Sequence, residues 1–193
     1  MKNLVTFVTF FPLILGFILA IVWWSTEKDF EPLLTTLGLL ATITGIFGER
    51  WATANEKRTE LLRALLNERS SNAEILADSR FQASYHRLGR PLVFPRLIMS
   101  VNETAIASGV FAEGQDSELF LLLHQWRHTV NEFNRRLDIT ELRTFTNLSS
   151  PEILSLYEAL QESKEFHDAV TLNEHITDVL KSKYPKATVL LRP

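Results

Sequence analysis

LVTFVTFFPLILGFILAIVWW, residues 4–24, is a run of 21 positions without a charged side chain, and LLTTLGLLATITGIFG, residues 33–48, is a second run of 16. The averages of the 193-residue chain conceal both. Mean hydropathy is +0.02, net charge is −3 and hydrophobic content is 46%, figures typical of a protein without any such concentration. About 20 apolar residues cross a bilayer core, so the sequence predicts an N-terminal two-helix transmembrane hairpin. Its domain is 1–48, with spans about 4–24 and 33–48. Residues 49–193 are then a helical cytoplasmic domain, opening with a long helix that continues from the second span.

A cleaved signal peptide is the competing reading of the first run. Lys2 supplies only a minimal basic start, the apolar stretch exceeds the usual 7–15 residues, and no small-x-small site precedes Trp23-Trp24. The tryptophans instead read as an interface belt, with Trp51 in the same role beyond the second run. That second run contains Thr35, Thr36, Thr42 and Thr44 and rises only about 24 Å, so a re-entrant or amphipathic segment stands beside the spanning one. Lys2, Arg50, Lys57, Arg58 and Arg63 lie on one side of the spans and Lys28 alone on the other. By the positive-inside rule this predicts a multi-pass membrane protein with both termini and the whole aqueous domain cytoplasmic. The sequons at Asn102 and Asn147 then never meet the glycosylation machinery.

Composition closes other routes. The absence of cysteine excludes disulfides, thiolate metal sites and cysteine nucleophiles. Residues 1–48 hold two of the 20 basic residues and three of the 23 acidic ones, leaving 18 against 20 for residues 49–193. Direct sequence-specific nucleic-acid binding is therefore not expected, since it normally needs a basic face.

From Glu49 to about Tyr85 there is neither proline nor glycine, and Trp51, Ala54, Leu62, Leu65, Leu66, Ala73 and Leu76 fall along one side of a helix. The same stripe carries Asn55, Arg58, Arg69 and Asn72, which marks those four as a candidate partner or oligomer face, with partial solvent exposure as the plainer reading. Gly89-Arg90-Pro91 ends the helix and Pro91–Pro95 is an extended connector. Ser100 to Glu103 has capping-box spacing for a short helix closed by Gly109.

Residues 117–137 give the clearest helix, with Leu119, Leu122, Leu123, Trp126, Val130, Phe133 and Leu137 as its core face. Thr140–Asn147 reads as a separate short helix, and Ser150-Pro151-Glu152 as the start of the next, with Ile153, Leu156, Tyr157 and Leu160 inward. Phe166, Val170, Ile176, Val179 and Leu180 mark a last helix ending before Pro185. A strand is conceivable only at Ala187–Leu191. The class is all-α.

Little of this carries chemistry. His124 and His128 have the i, i+4 spacing of a zinc pair, but Gln125 stands where the zinc-protease pattern needs a glutamate base, and both face away from the core direction. His86, His167 and His175 are isolated. There is no phosphate-binding glycine loop and no GxSxG. The expectation is no enzyme, no cofactor and no metal. Thr35, Gly38, Thr42, Gly45 and Glu49 instead line one face of the second run. They read either as a close helix-packing face or as a membrane pathway assembled between several subunits, with Glu49 at its mouth.

The layout resembles the two-transmembrane effectors that accompany retron reverse transcriptases and other bacterial anti-phage systems. PRLIMSVNETAIASGVFAEGQDSELFLLLHQWRHTVNEFNRRL, residues 95–137, looks like a recurring segment of such proteins: a short helix ending at Ser108-Gly109, a turn, and a helix with an asparagine near its end, Asn131 or Asn134. The resemblance implies a toxin-like, membrane-perturbing or pore-forming abortive-infection effector of the bacterial inner membrane, held inactive by a cytosolic protein or ribonucleoprotein and forming a homo-oligomer in the lipid bilayer on activation. The alternative is a passive membrane anchor or scaffold whose helical domain recruits a cytosolic protein.

Overall fold

A computed structural model of the chain describes residues 2–27, 30–82, 89–112, 114–146 and 148–185. Helices are the only regular secondary structure among the described residues, with no strand among them. The helices are α1 (Lys2–Glu27), α2 (Glu31–Leu76), α3 (Ser100–Ser108), α4 (Ser117–Thr144), α5 (Ser150–Gln161) and α6 (Lys164–Lys183), with 3-10 turns at Ser79–Phe81 and Gly114–Asp116. The chain divides into two compact units, Met1–Glu56 and Lys57–Pro193.

Among the described residues no helix is long and apolar enough to cross a membrane. This overturns the expected transmembrane hairpin with spans 4–24 and 33–48, and with it the multi-pass inner-membrane placement. In α2 the uncharged run holds four threonines and three glycines and passes without a break into Glu49-Arg50.

The second unit is built around α4, which packs on α3, α5 and α6. All seven residues predicted for its core face are buried. The helix runs through Thr140–Thr144, where a separate element was expected, because nothing between Leu137 and Thr144 breaks it. The hydroxyls of Thr140 and Thr144 fold back onto the carbonyls of Arg136 and Glu141 at 2.9 Å. Beside it, Leu62, Leu65, Leu66 and Leu76 of α2 enter the core, whereas Trp51, Ala54 and Ala73 of the same predicted stripe are exposed. α2 stops at Leu76, well short of Tyr85, because Asp78 captures the following turn: its carboxylate accepts from the Arg80 backbone N–H at 2.8 Å and from the Arg80 guanidinium. That pairing holds the Asp78 carboxyl down at about 2. The predicted stretch beyond Gln82, His86, Asn147 and the Ala187–Leu191 strand lie outside the described residues.

Local signals set the remaining ends. Gly109 adopts φ +63, the left-handed stop expected of it, and its N–H reaches the Ile106 carbonyl. Ser149, one residue before the predicted start of α5, forms a capping box with Glu152. Ser163 caps α6 through the Phe166 N–H. Gly89, at φ +53, passes so close to Ser150 that a Cβ there would sit 2.5 Å from the serine Cβ.

Candidate functional site

The first unit turns large apolar side chains outward. Ile14, Leu15, Ile18, Leu19, Ile21, Val22, Trp23 and Trp24 are each more than a third exposed on α1, and Leu34, Leu37, Leu39, Ile46 and Phe47 repeat this on α2. At 100° per residue the α1 set spans about 260° of the helix, wider than one stripe, and the remaining sector holds the half-buried Gly16 and the buried Ala20. Trp24 and Phe30 meet with centroids 5.4 Å apart.

Of the predicted seam on α2, Thr35 donates to its own helix at the Glu31 carbonyl and Thr42 to the Gly38 carbonyl, both at 2.9 Å. A Cβ placed on Gly38 or Gly45 would meet no neighbouring heavy atom within 4 Å. Among the described residues no second helix closes on those glycines. Glu49 is exposed.

The predicted partner face divides. Asn55 is exposed and Arg58 half-buried, but Arg69 and Asn72 are wholly buried inside the second unit, so these two form no surface. Arg58 grips Asp116 with two hydrogen bonds, at 2.8 and 3.1 Å, and Tyr184 donates to the same carboxylate at 2.6 Å. Burial and then the Asp116 charge push the Tyr184 hydroxyl up. Arg69 bonds Glu68 at 2.6 Å and its guanidinium lies 4.1 Å above the Trp126 ring. Burial lowers Arg69 to about 10 despite the opposing pull of Glu68.

Glu68 carries a role that local sequence assigns elsewhere. Its carboxylate accepts from the backbone N–H groups of Val101 and Asn102 at 2.7 and 3.2 Å, and so supplies the negative end that the N-terminus of α3 requires. Ser100 is the first helical residue rather than the cap, and Glu103 faces Arg127 at 3.8 Å. The S-x-x-E spacing was a misleading cue.

The extended segment between Arg90 and Met99 is held the same way, by side chains from distant helices. Asn72 and Asn134 each bond one residue of it through both amide atoms. Asn131, the other asparagine in the resemblance, is exposed. Arg96 reaches Asp138 and Glu141 at 2.6 and 2.8 Å. Burial alone would raise Glu141, but Arg96 and the Phe94 N–H outweigh it and its carboxyl lies below the ordinary value.

A shallow groove between α4 and α6 is lined by Gln125, His128, Thr129, Asp168, Thr171, Leu172 and His175. His128 sits 3.4 Å from Glu132, while His124 sets its ring edge-on to Phe120. Among the described residues no cluster of three or more histidines or carboxylates could hold a metal ion. No family model, curated protein or solved structure matches this chain.

Proposed function

We propose that the chain is a lipid-acting effector of an anti-phage system, in which the apolar first unit disturbs a bilayer and the helical second unit binds a protein or ribonucleoprotein that holds it inactive. The observation that carries the reading is the apolar surface of α1 from Ile14 to Trp24, exposed over all but the sector of Gly16 and Ala20. Exposed apolar patches of this extent mark interaction surfaces. A partner helix covers one stripe; an exposed apolar surface this much wider than a stripe suits a continuous apolar medium. The proposal concerns contact of this surface with acyl chains and uses no helix that crosses the bilayer.

Control by a partner is a population shift, which requires that the partner bind the resting arrangement more tightly than the active one. The reading involves no catalytic step and no cofactor. A homo-oligomer belongs to the active arrangement, because the exposed threonine and glycine face of α2 makes no enclosure within one chain. The second reading, passive attachment by the first unit with recruitment by the second, is favoured by one observation: the Thr35 and Thr42 hydroxyls are spent on their own helix.

Induced expression of the chain, alone and with its neighbouring genes, while a voltage-sensitive dye reports membrane potential, separates the two. An effector depolarises cells when expressed alone and is silent with its partner. Polarised cells under both conditions contradict the effector reading.

A further inference from the structure

Arg90–Met99 is extended yet pairs with no strand; its main chain is read by side chains of three helices. Asn134 of α4 accepts from the Leu97 N–H at 3.0 Å and donates to the Leu97 carbonyl at 3.1 Å. Asn72 of α2 does the same for Ile98, at 2.7 Å in both directions. Glu141 accepts from the Phe94 N–H at 2.6 Å. Tyr157 of α5 accepts from the Leu92 N–H at 2.8 Å and donates to the Arg90 carbonyl at 3.0 Å. None of these bonds depends on the side chains of the segment they hold.

Sequence is read chiefly by two buried apolar residues, beside Arg96, whose guanidinium bonds Asp138 and Glu141. Phe94 is buried against Phe81, with ring centroids 5.1 Å apart, and edge-on to Tyr157 at 5.4 Å, while Leu97 fills the second buried position three residues on. Val93 and Ile98 point outward and are 59% and 43% exposed. Main-chain hydrogen bonds that supply affinity, together with spaced pockets that supply selectivity, are the elements by which proteins recognise extended peptides.

We propose that the cleft between α2, α4 and α5 is a binding site for an extended peptide segment, filled in the resting chain by its own Arg90–Met99. A partner's segment with an aromatic residue and a leucine three positions later enters it by displacing that strap. The inference deepens the partner half of the function proposed above and rests on it. Its test uses no lipid, so either can fail without the other. A tethered occupant competes at an effective concentration on the order of mM, so the cleft becomes measurable once the strap's two anchors are removed.

The experiment uses the full chain carrying Phe94→Gly and Leu97→Gly, and a fluorescent peptide, RPLVFPRLIM, copied from residues 90–99. The peptide should bind this variant about tenfold or more tightly than the wild-type chain and raise its melting temperature. Adding Asn72→Ala and Asn134→Ala should weaken that binding about tenfold, and a peptide with glycine at both anchor positions should not bind. Where the variant fails to fold alone, helical circular dichroism recovered only on refolding with the peptide supports the site. Equal binding to variant and wild type, binding indifferent to the asparagines, or no recovery with peptide overturns it.

Discussion

The two units use their polar and apolar residues in opposite ways. In Met1–Glu56 the Ser25, Thr26, Thr35 and Thr42 hydroxyls are bonded to their own helices and large apolar side chains among the described residues face out. In Lys57–Pro193 the apolar residues form one core, and polar side chains are drawn into it to join elements far apart in sequence: Glu68 to α3, Asn72 and Asn134 to the strap, Asn173 to the Arg69 carbonyl. A unit organised by buried polar bonds specifies its own interior. One with an apolar exterior specifies the medium it meets.

Breaking the interior of the second unit should therefore cost most. Glu68→Ala leaves Arg69 buried with its ion pair gone and strips the N-terminus of α3, and a loss of about 3–5 kcal/mol is expected. Chemical denaturation followed by circular dichroism checks it. A loss within about 0.5 kcal/mol, the range of ordinary surface substitutions, would remove Glu68 from its central role. Next comes Asn72→Ala, which leaves the Ile98 N–H and carbonyl without their partner; about 1–3 kcal/mol follows from stranded buried groups, by the same measurement.

The Arg96–Glu141 pair gives a smaller, pH-dependent effect. Glu141 lies below its ordinary value of 4.5 in the folded chain, so its contribution is fully present above about pH 4.5 and lost as pH falls through the folded value. The difference in melting temperature between wild type and Glu141→Gln should be widest near neutrality and close on acidification below that point. A gap that grows in acid reverses the assigned sign. Smallest of all, Leu142→Ser and Phe145→Ser, at positions 72% and 61% exposed, should stay within about 0.5 kcal/mol.

The sequence made the helical stripes legible because a 3.6-residue period survives in one dimension. Leu119 through Leu137 and Ile153, Tyr157 and Leu160 are inward as their spacing required, and Gly109 stops α3 for a reason local to its own backbone. What stayed hidden was every polar bond made over distance. Ser100 and Glu103 offered a local cap, but the carboxylate comes from Glu68, and no spacing rule connects residues 68 and 101. Arg69 and Asn72 looked like a polar blemish on an apolar stripe; they are interior because α3, the strap and Trp126 arrive to cover them. Of the two asparagines in the resemblance, contact with Leu97 alone distinguishes Asn134. On the first unit, absence of charge gave an apolar surface correctly, and a crossing helix incorrectly, because the threonines, glycines and Glu49-Arg50 of α2 limit its apolar length.

The most direct test of the division between the units is dye release from preformed phospholipid vesicles by the purified full chain and by a variant carrying Ile18→Asp and Leu19→Asp. The account predicts release by the wild type, loss of release in the variant, and an unchanged denaturation midpoint for the second unit. Vesicles that stay sealed with the wild type, or that leak equally with the variant, would contradict it.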